Sequence, residues 1–257
     1  MIRFGPAGLG GVEDAIINIE NYAKQGLKAC EVSFTHGVYL GKEDALRIGE
    51  FAKKHDIYLS IHASYYINLN SIEKEKIDAS KKRIIDCCKI GHYFNQKEKT
   101  RIVFHAGFYG KKDAEETYQN LKKQIIELLE IVKKNKWNVE LCPETMGKKN
   151  VFGSVEEISR LVTETGCGFC IDLAHVLARY GDYNFDLIKK SFPRKEWHCH
   201  FSGIVYGDKG ERYHKLTPRE EWKKVLQGIP GDKQVVIINE SPEPVSDSVL
   251  GLEVYTA

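Results

Sequence analysis

What the 257-residue chain lacks narrows its class before any motif is considered. No apolar run approaches the roughly 20 residues that span a bilayer as a helix, and no cleavable leader pattern opens the chain. A cytoplasmic protein without a membrane partner is therefore expected. Neither sign of charge dominates, since 38 Lys and Arg face 36 Asp and Glu for a net charge of +2. That balance permits a polyanionic partner without arguing for one, because the placement of charge decides more than its total. The pair Cys167 and Cys170 has no second CxxC to complete a zinc or redox motif, and Cys142, Cys170 and Cys199 lie inside apolar runs. Buried, reduced thiols are expected there. No Pro/Ser-rich linker or low-complexity tract divides the chain, so one domain over residues 1–257 is expected. The glycine-rich stretch from Gly5 to Gly11 has neither GxGxxG nor GxxxxGK spacing. It lacks the phosphate loop that an open doubly wound sheet normally carries after its first strand.

What is present is repetition. Hydrophobic residues make up 42% and charged residues 29%, the balance of a chain that buries a core without staples. Eight short apolar runs read as strands: Ile2–Gly5, Ala29–Phe34, Ile57–His62, Arg101–His105, Asn138–Glu144, Gly168–Asp172, Glu196–Phe201 and Gln234–Asn239. Several are rich in Val, Ile and Phe, as strands covered on both faces are. Helical segments lie between them. Asn70 with Glu73, Asp113 with Glu116, Ser154 with Glu157, and Thr217 with Glu220 have the cap-plus-acid spacing that satisfies free N–H groups at a helix start. Pro218 falls at the expected first helical position of the last. Eight βα units in succession predict an α/β fold, a closed (β/α)8 TIM barrel.

Six of the runs end in, or lead directly to, a group that can bind a metal. LSIH, IVFH, VELCPE, FCID, WHCH and VIINE carry His62, His105, Glu144, Asp172, His200 and Glu240. The carboxyl ends of barrel strands converge on one face, where the active sites of this architecture lie. One such histidine is unremarkable, but six groups in phase are costly to bury without a shared purpose. Carboxylates can bridge metals roughly 3.5–4 Å apart, and His, Asp and Glu all suit zinc. His198, two residues before His200, and Glu140, four before Glu144, read as supporting or core residues deeper in the barrel. His36 follows the second strand toward the pocket mouth, whereas His55 and His92 sit near helix ends.

The motifs HASYYINL (62–69), FHAG (104–107), CPETMG (142–147), CIDLAH (170–175), HFSG (200–203) and INES (238–241) resemble the endonuclease IV family in order and spacing over nearly the whole chain. The resemblance implies a zinc-dependent phosphodiesterase holding two to three ions and acting on double-stranded DNA with abasic sites, with a monomer expected. His62, His105 and Glu144 would hold the first zinc. Glu144 would bridge to a second, completed by Asp172, His200 and Glu240, and His175 would belong to a third. Tyr65 aligns with an aromatic that enters DNA near the lesion, and stacking where a base is displaced is what an exposed ring can do. The departure is at the third site. The family's Asp-Arg-His is replaced by Glu211-Arg212-Tyr213-His214, which puts Tyr213 at the ligand position and His214 one residue late. A local shift that restores the ligand through His214, and a third site that stays empty, are both open from sequence.

The reaction implied is metal-assisted hydrolysis 5′ to an abasic nucleotide, with Glu144 bridging the metals and helping to hold the attacking water. Lys148, Lys149 and the segment 209–215 follow strands on the pocket side and could meet phosphates. Two rivals remain. One is a sugar isomerase or epimerase on the same barrel, which would not need His62, His105 and His175 together. The other is a homologue that has lost catalysis.

Overall fold

In the computed structural model, which describes residues 1–257, all eight apolar runs form parallel strands of one barrel. They are β1 (Ile2–Pro6), β2 (Ala29–Ser33), β3 (Tyr58–His62), β4 (Thr100–Phe104), β5 (Val139–Pro143), β6 (Ile171–Asp172), β7 (Glu196–Phe201) and, after an inserted hairpin, β10 (Gln234–Asn239). The hairpin pairs β8 (Gly203–Gly207) with β9 (Gly210–Lys215), antiparallel. Helices α1 (Ala15–Lys24), α2 (Lys42–Lys54), α3 (Lys74–Tyr93), α4 (Ala114–Lys134), α5 (Val155–Thr165), α6 (Leu173–Tyr180), α7 (Phe185–Ser191), α8 (Arg219–Gly228) and α9 (Pro244–Thr256) complete the chain. None is long and apolar enough to cross a membrane.

The strands form two four-stranded halves, β2-β3-β4-β5 and β1-β10-β7-β6. Two seams close them into a ring. At one, Ala7 bridges Glu31, and the Gly8 N–H donates to the Glu31 carbonyl at 2.8 Å. At the other, Glu144 bridges Cys170, and the Thr145 N–H donates to the Cys170 carbonyl at 3.0 Å. Helices cover the outside through apolar stripes. α4, for example, buries Tyr118, Leu121, Ile125 and Leu128 at three- and four-residue spacing, each aliphatic side chain contributing about 1.5–3 kcal/mol.

Two expected caps form as read. Asp113 accepts from the Glu116 N–H at 2.8 Å, and Ser154 with Glu157 makes a reciprocal capping box at the start of α5. The other two do not, because tertiary partners take the side chains. The Asn70 amide donates to the Phe108 carbonyl and to Thr117 Oγ1, and α3 begins after Glu73. Thr217 Oγ1 donates to Asp247, and Pro218 stands at the N-cap of α8, one residue before the first helical position.

Candidate metal centre

The period of two along a strand sorts the barrel interior into layers. At the carboxyl end lie His62, His105, Glu144, Asp172, His200 and Glu240. Glu31, Ser60 and His198 lie one pitch below, linked by hydrogen bonds. Glu140 is four residues below Glu144, about 13 Å along the strand, and it pairs at the opposite mouth with Arg101 and Arg194 at 3.6 and 3.1 Å. It therefore has no contact with the upper layers, whereas His198 supports them through Glu31.

Glu144 is fully buried at the centre of that cluster. Its Oε2 lies 3.2 Å from both His62 Nε2 and His105 Nε2, and its Oε1 lies 3.6 Å from His200 Nδ1. Of the four sets of donor atoms close enough to hold a metal ion, two are built around Glu144: His62, His105 and Glu144, and Glu144, Asp172, His200 and Glu240. Glu144 belongs to both. The rings are pre-aimed. The His62 Nδ1–H donates to the Ala63 carbonyl at 2.8 Å, which leaves Nε2 facing Glu144. Asp172 caps α6, with Oδ1 accepting from the His175 N–H at 2.7 Å, and its Oδ2 has no hydrogen-bond partner.

The third corner is built on the hairpin. His175 Nδ1–H donates to the Thr145 carbonyl at 3.0 Å, and its Nε2 is 3.2 Å from Glu211 Oε2. The His214 and His175 rings lie edge to face, 5.4 Å apart. Ser202 Oγ donates to the Gly203 carbonyl, so it accepts from His214 Nδ1–H at 2.6 Å and turns Nε2 away from itself. Glu211 and His214 are three apart, a spacing that puts side chains on opposite faces of a regular strand. Here Val205 pairs with Tyr213 and Tyr206 with Glu211, so Arg212 is left over as a β-bulge. A bulge re-aims one side of the strand. It brings Glu211 and His214 to the same side, facing the cavity, and leaves Tyr213 61% exposed. The bulge thus turns His214 toward His175 and Glu211. Glycine makes room for it. A Cβ on Gly147 would lie 2.6 Å from Glu211 Oε2, and Gly210, at φ +96°, has the Gly147 carbonyl where its Cβ would be. Arg179 donates to the Met146, Lys148 and Val151 carbonyls and holds that loop.

Charge is packed densely here. Burial opposes ionisation of His62, but Glu144, Glu31 and Glu240 outweigh it and push the ring up to about 9. His175 and His200 are likewise held well above the usual range against burial, by Asp172, Glu144 and Glu211 in one case and by Cys170, Glu31 and Glu240 in the other. Burial would raise Glu240, yet His200 holds it down at about 2. Asp172 goes up, because burial prevails. Buried atoms without a hydrogen-bond partner concentrate at the site: Glu144 Oε1, Asp172 Oδ2, His200 Nδ1 and Glu211 Oε2. Orphaned carboxylate and imidazole atoms facing one another are the donor set a divalent cation satisfies.

A cavity of about 310 Å³ opens above, lined among others by Tyr65, Phe108, Lys148, His175 and His214. Tyr65 is 57% exposed, its ring 5.7 Å from His62 and 5.9 Å from His105. His36 is outside the cavity on an exposed loop, within 3.5 Å of the Tyr66 hydroxyl. His55 and His92 sit at the ends of α2 and α3. All seven cysteines are free and buried. The residue missed in the sequence is Glu31, fully buried in mid-strand with Oε1 3.0 Å from His200 Nε2. A lone carboxylate inside the apolar run ACEVSF was the available signal.

Barrel, strand-end cluster and loops together define the class. Residues 19–241 match the family of xylose isomerase-like TIM barrels, and the chain belongs to it. An uncharacterized protein of Methanocaldococcus jannaschii is 36% identical over 273 residues, covering 99% of this chain and 97% of that one. The probable endonuclease 4 of Mycoplasmopsis pulmonis is 33% identical over 202 residues, 71% of this chain and 69% of that protein. The resemblance read from the motifs is therefore borne out. Among solved structures, SacUVDE superposes with a TM-score of 0.74 at 16% identity, over 100% of this chain and 98% of that one. The D-psicose 3-epimerase of Clostridium cellulolyticum H10 superposes at 0.69 and 15% identity, over 99% and 96%. At such identities the likeness is one of fold.

Proposed function

We propose that this protein is a zinc-dependent phosphodiesterase that cleaves DNA 5′ to abasic sites. The observation that carries the reading is Glu144, whose two oxygens face His62 and His105 on one side and His175 and His200 on the other. His62, His105 and Glu144 would hold one ion; Glu144, Asp172, His200 and Glu240 a second; His175, Glu211 and His214 a third. Imidazole and carboxylate donors suit zinc, and the orphaned atoms fit such ions. Zinc bound there supplies Lewis acidity toward a phosphodiester and acidity to a water. Glu144 Oε1, free of hydrogen bonds, is the protein group placed to accept one from the attacking water. Tyr65 stands where it can stack on the displaced nucleotide, and exposed Lys148, 3.6 Å from Glu211, can reach a phosphate.

A sugar epimerase shares the barrel, but the His175–Glu211–His214 corner exceeds the one or two ions that chemistry needs. The similarity to a probable endonuclease 4 adds support. The test is metal-replete protein on a duplex carrying one abasic site, with intact duplex as control. Cleavage confined to the abasic duplex is expected. No cleavage, together with epimerisation of a ketohexose, would transfer the assignment to the rival.

A further inference from the structure

Glu31 has no role in the chemistry above, yet it occupies an expensive position. It is fully buried in β2, and its ion-pair partners are two histidines, with no lysine or arginine among them. A buried carboxylate without a strong cation is costly to keep. Ser60, its register partner on β3, donates to Oε2 at 2.8 Å. His198 Nε2 approaches the same oxygen at 3.2 Å, and His200 Nε2 approaches Oε1 at 3.0 Å. Both histidines come from the same face of β7, so two imidazoles from one half of the barrel converge on one carboxylate from the other.

That contact decides which nitrogen of His200 is available. Nε2 is held 3.0 Å from Glu31 Oε1 as a close ion-pair contact, outside hydrogen-bond geometry, so the Nδ1 edge is directed at the upper cluster, 3.5 Å from Glu240 Oε1 and 3.6 Å from Glu144 Oε1. A carboxylate behind a ligating imidazole fixes its tautomer and orientation and strengthens it as a ligand. We infer that Glu31, clamped by Ser60 and His198, is a positioning residue that orients His200 toward the second metal position and adds negative charge beneath it. This rests on the metal-centre reading above. A competing arrangement exists, because Cys170, His198 and His200 also lie close enough together to hold an ion. It would take His200 Nε2 away from Glu31.

The experiment compares zinc content, zinc affinity by chelator competition, and melting with and without zinc. Wild type is set against Glu31→Gln, Ser60→Ala and Cys170→Ala. Glu31→Gln should weaken one ion by about 10–100-fold while melting no lower than wild type in the stripped state, where a buried charge has been removed. Ser60→Ala should weaken the same ion by several-fold, and it carries the test if the Gln variant does not fold. Cys170→Ala should keep every ion. The inference fails if affinity is unchanged in Glu31→Gln, or in Ser60→Ala alone should the other not fold. It also fails if stripped and loaded proteins are destabilised equally, or if Cys170→Ala loses an ion. Wild-type protein that takes up no zinc removes the metal centre itself, and this inference with it.

Discussion

The inner cluster and the hairpin corner reach similar chemistry by different means. His62, His105, Glu144, Asp172, His200 and Glu240 sit within one residue of the ends of barrel strands, where parallel register fixes them. Their relative heights follow from the pleat. His175, Glu211 and His214 instead combine a helix start with a two-stranded excursion, and a single unpaired residue, Arg212, sets which way the hairpin side chains face. A rigid scaffold thus holds one set and an adjustable arm the other. The difference teaches that one unpaired residue can turn a displaced side chain back toward a site, without a change of fold.

The largest effect should come from the residue common to both regions. Glu144→Gln keeps the shape but removes the charge facing four histidines, so cleavage should fall by about 10³ or more. Near-normal turnover in a folded variant would take Glu144 out of the chemistry. His214→Ala should lower zinc content by about one ion and slow cleavage strongly while the inner cluster keeps its ions, whereas Tyr213→Phe should change little. Full content and activity in His214→Ala would show the arm to be dispensable. Deleting Arg212 sharpens the comparison, since Glu211 and His214 then stand two apart on a regular strand, again on one face. Zinc content should survive that deletion, and loss of one ion would show that the bulge itself is required. The smallest effect concerns the mouth. Lys148→Ala should weaken abasic-duplex binding modestly and reduce its salt slope by about one. Salt-independent binding by wild type would speak against DNA.

How much of this was legible follows the same division. Short apolar runs mark all eight barrel strands, and the strand-end rule picks out the six inner groups that the barrel brings together. β6 spans only Ile171–Asp172, shorter than its run suggested, because the chain turns directly into α6 with Asp172 as cap. Glu140 was grouped with His198, although four residues along a strand carry it to the opposite mouth. Glu31 escaped because attention to strand ends passes over a charge in mid-run. Sequence left a shift near His214 open but could not place it at Arg212, because the bulge is set by how the segment pairs with β8.

The seams that close the ring carry a mechanical consequence. Glu31 and Glu144 are the residues at which the two half-barrels bridge, and each faces histidines of the opposite half. Cations shared across that line, as proposed above, would act as rivets between two curved plates. Stripping them would leave each plate hydrogen-bonded within itself while loosening the joints. Opening would then be felt first at the Gly8 and Thr145 amides, whose hydrogen bonds cross the seams, and deuterium would enter there faster than at the strand centres. On the proposed function the cofactor would double as a fastener, and the speed at which the cylinder breathes would be set by the same atoms that hold it.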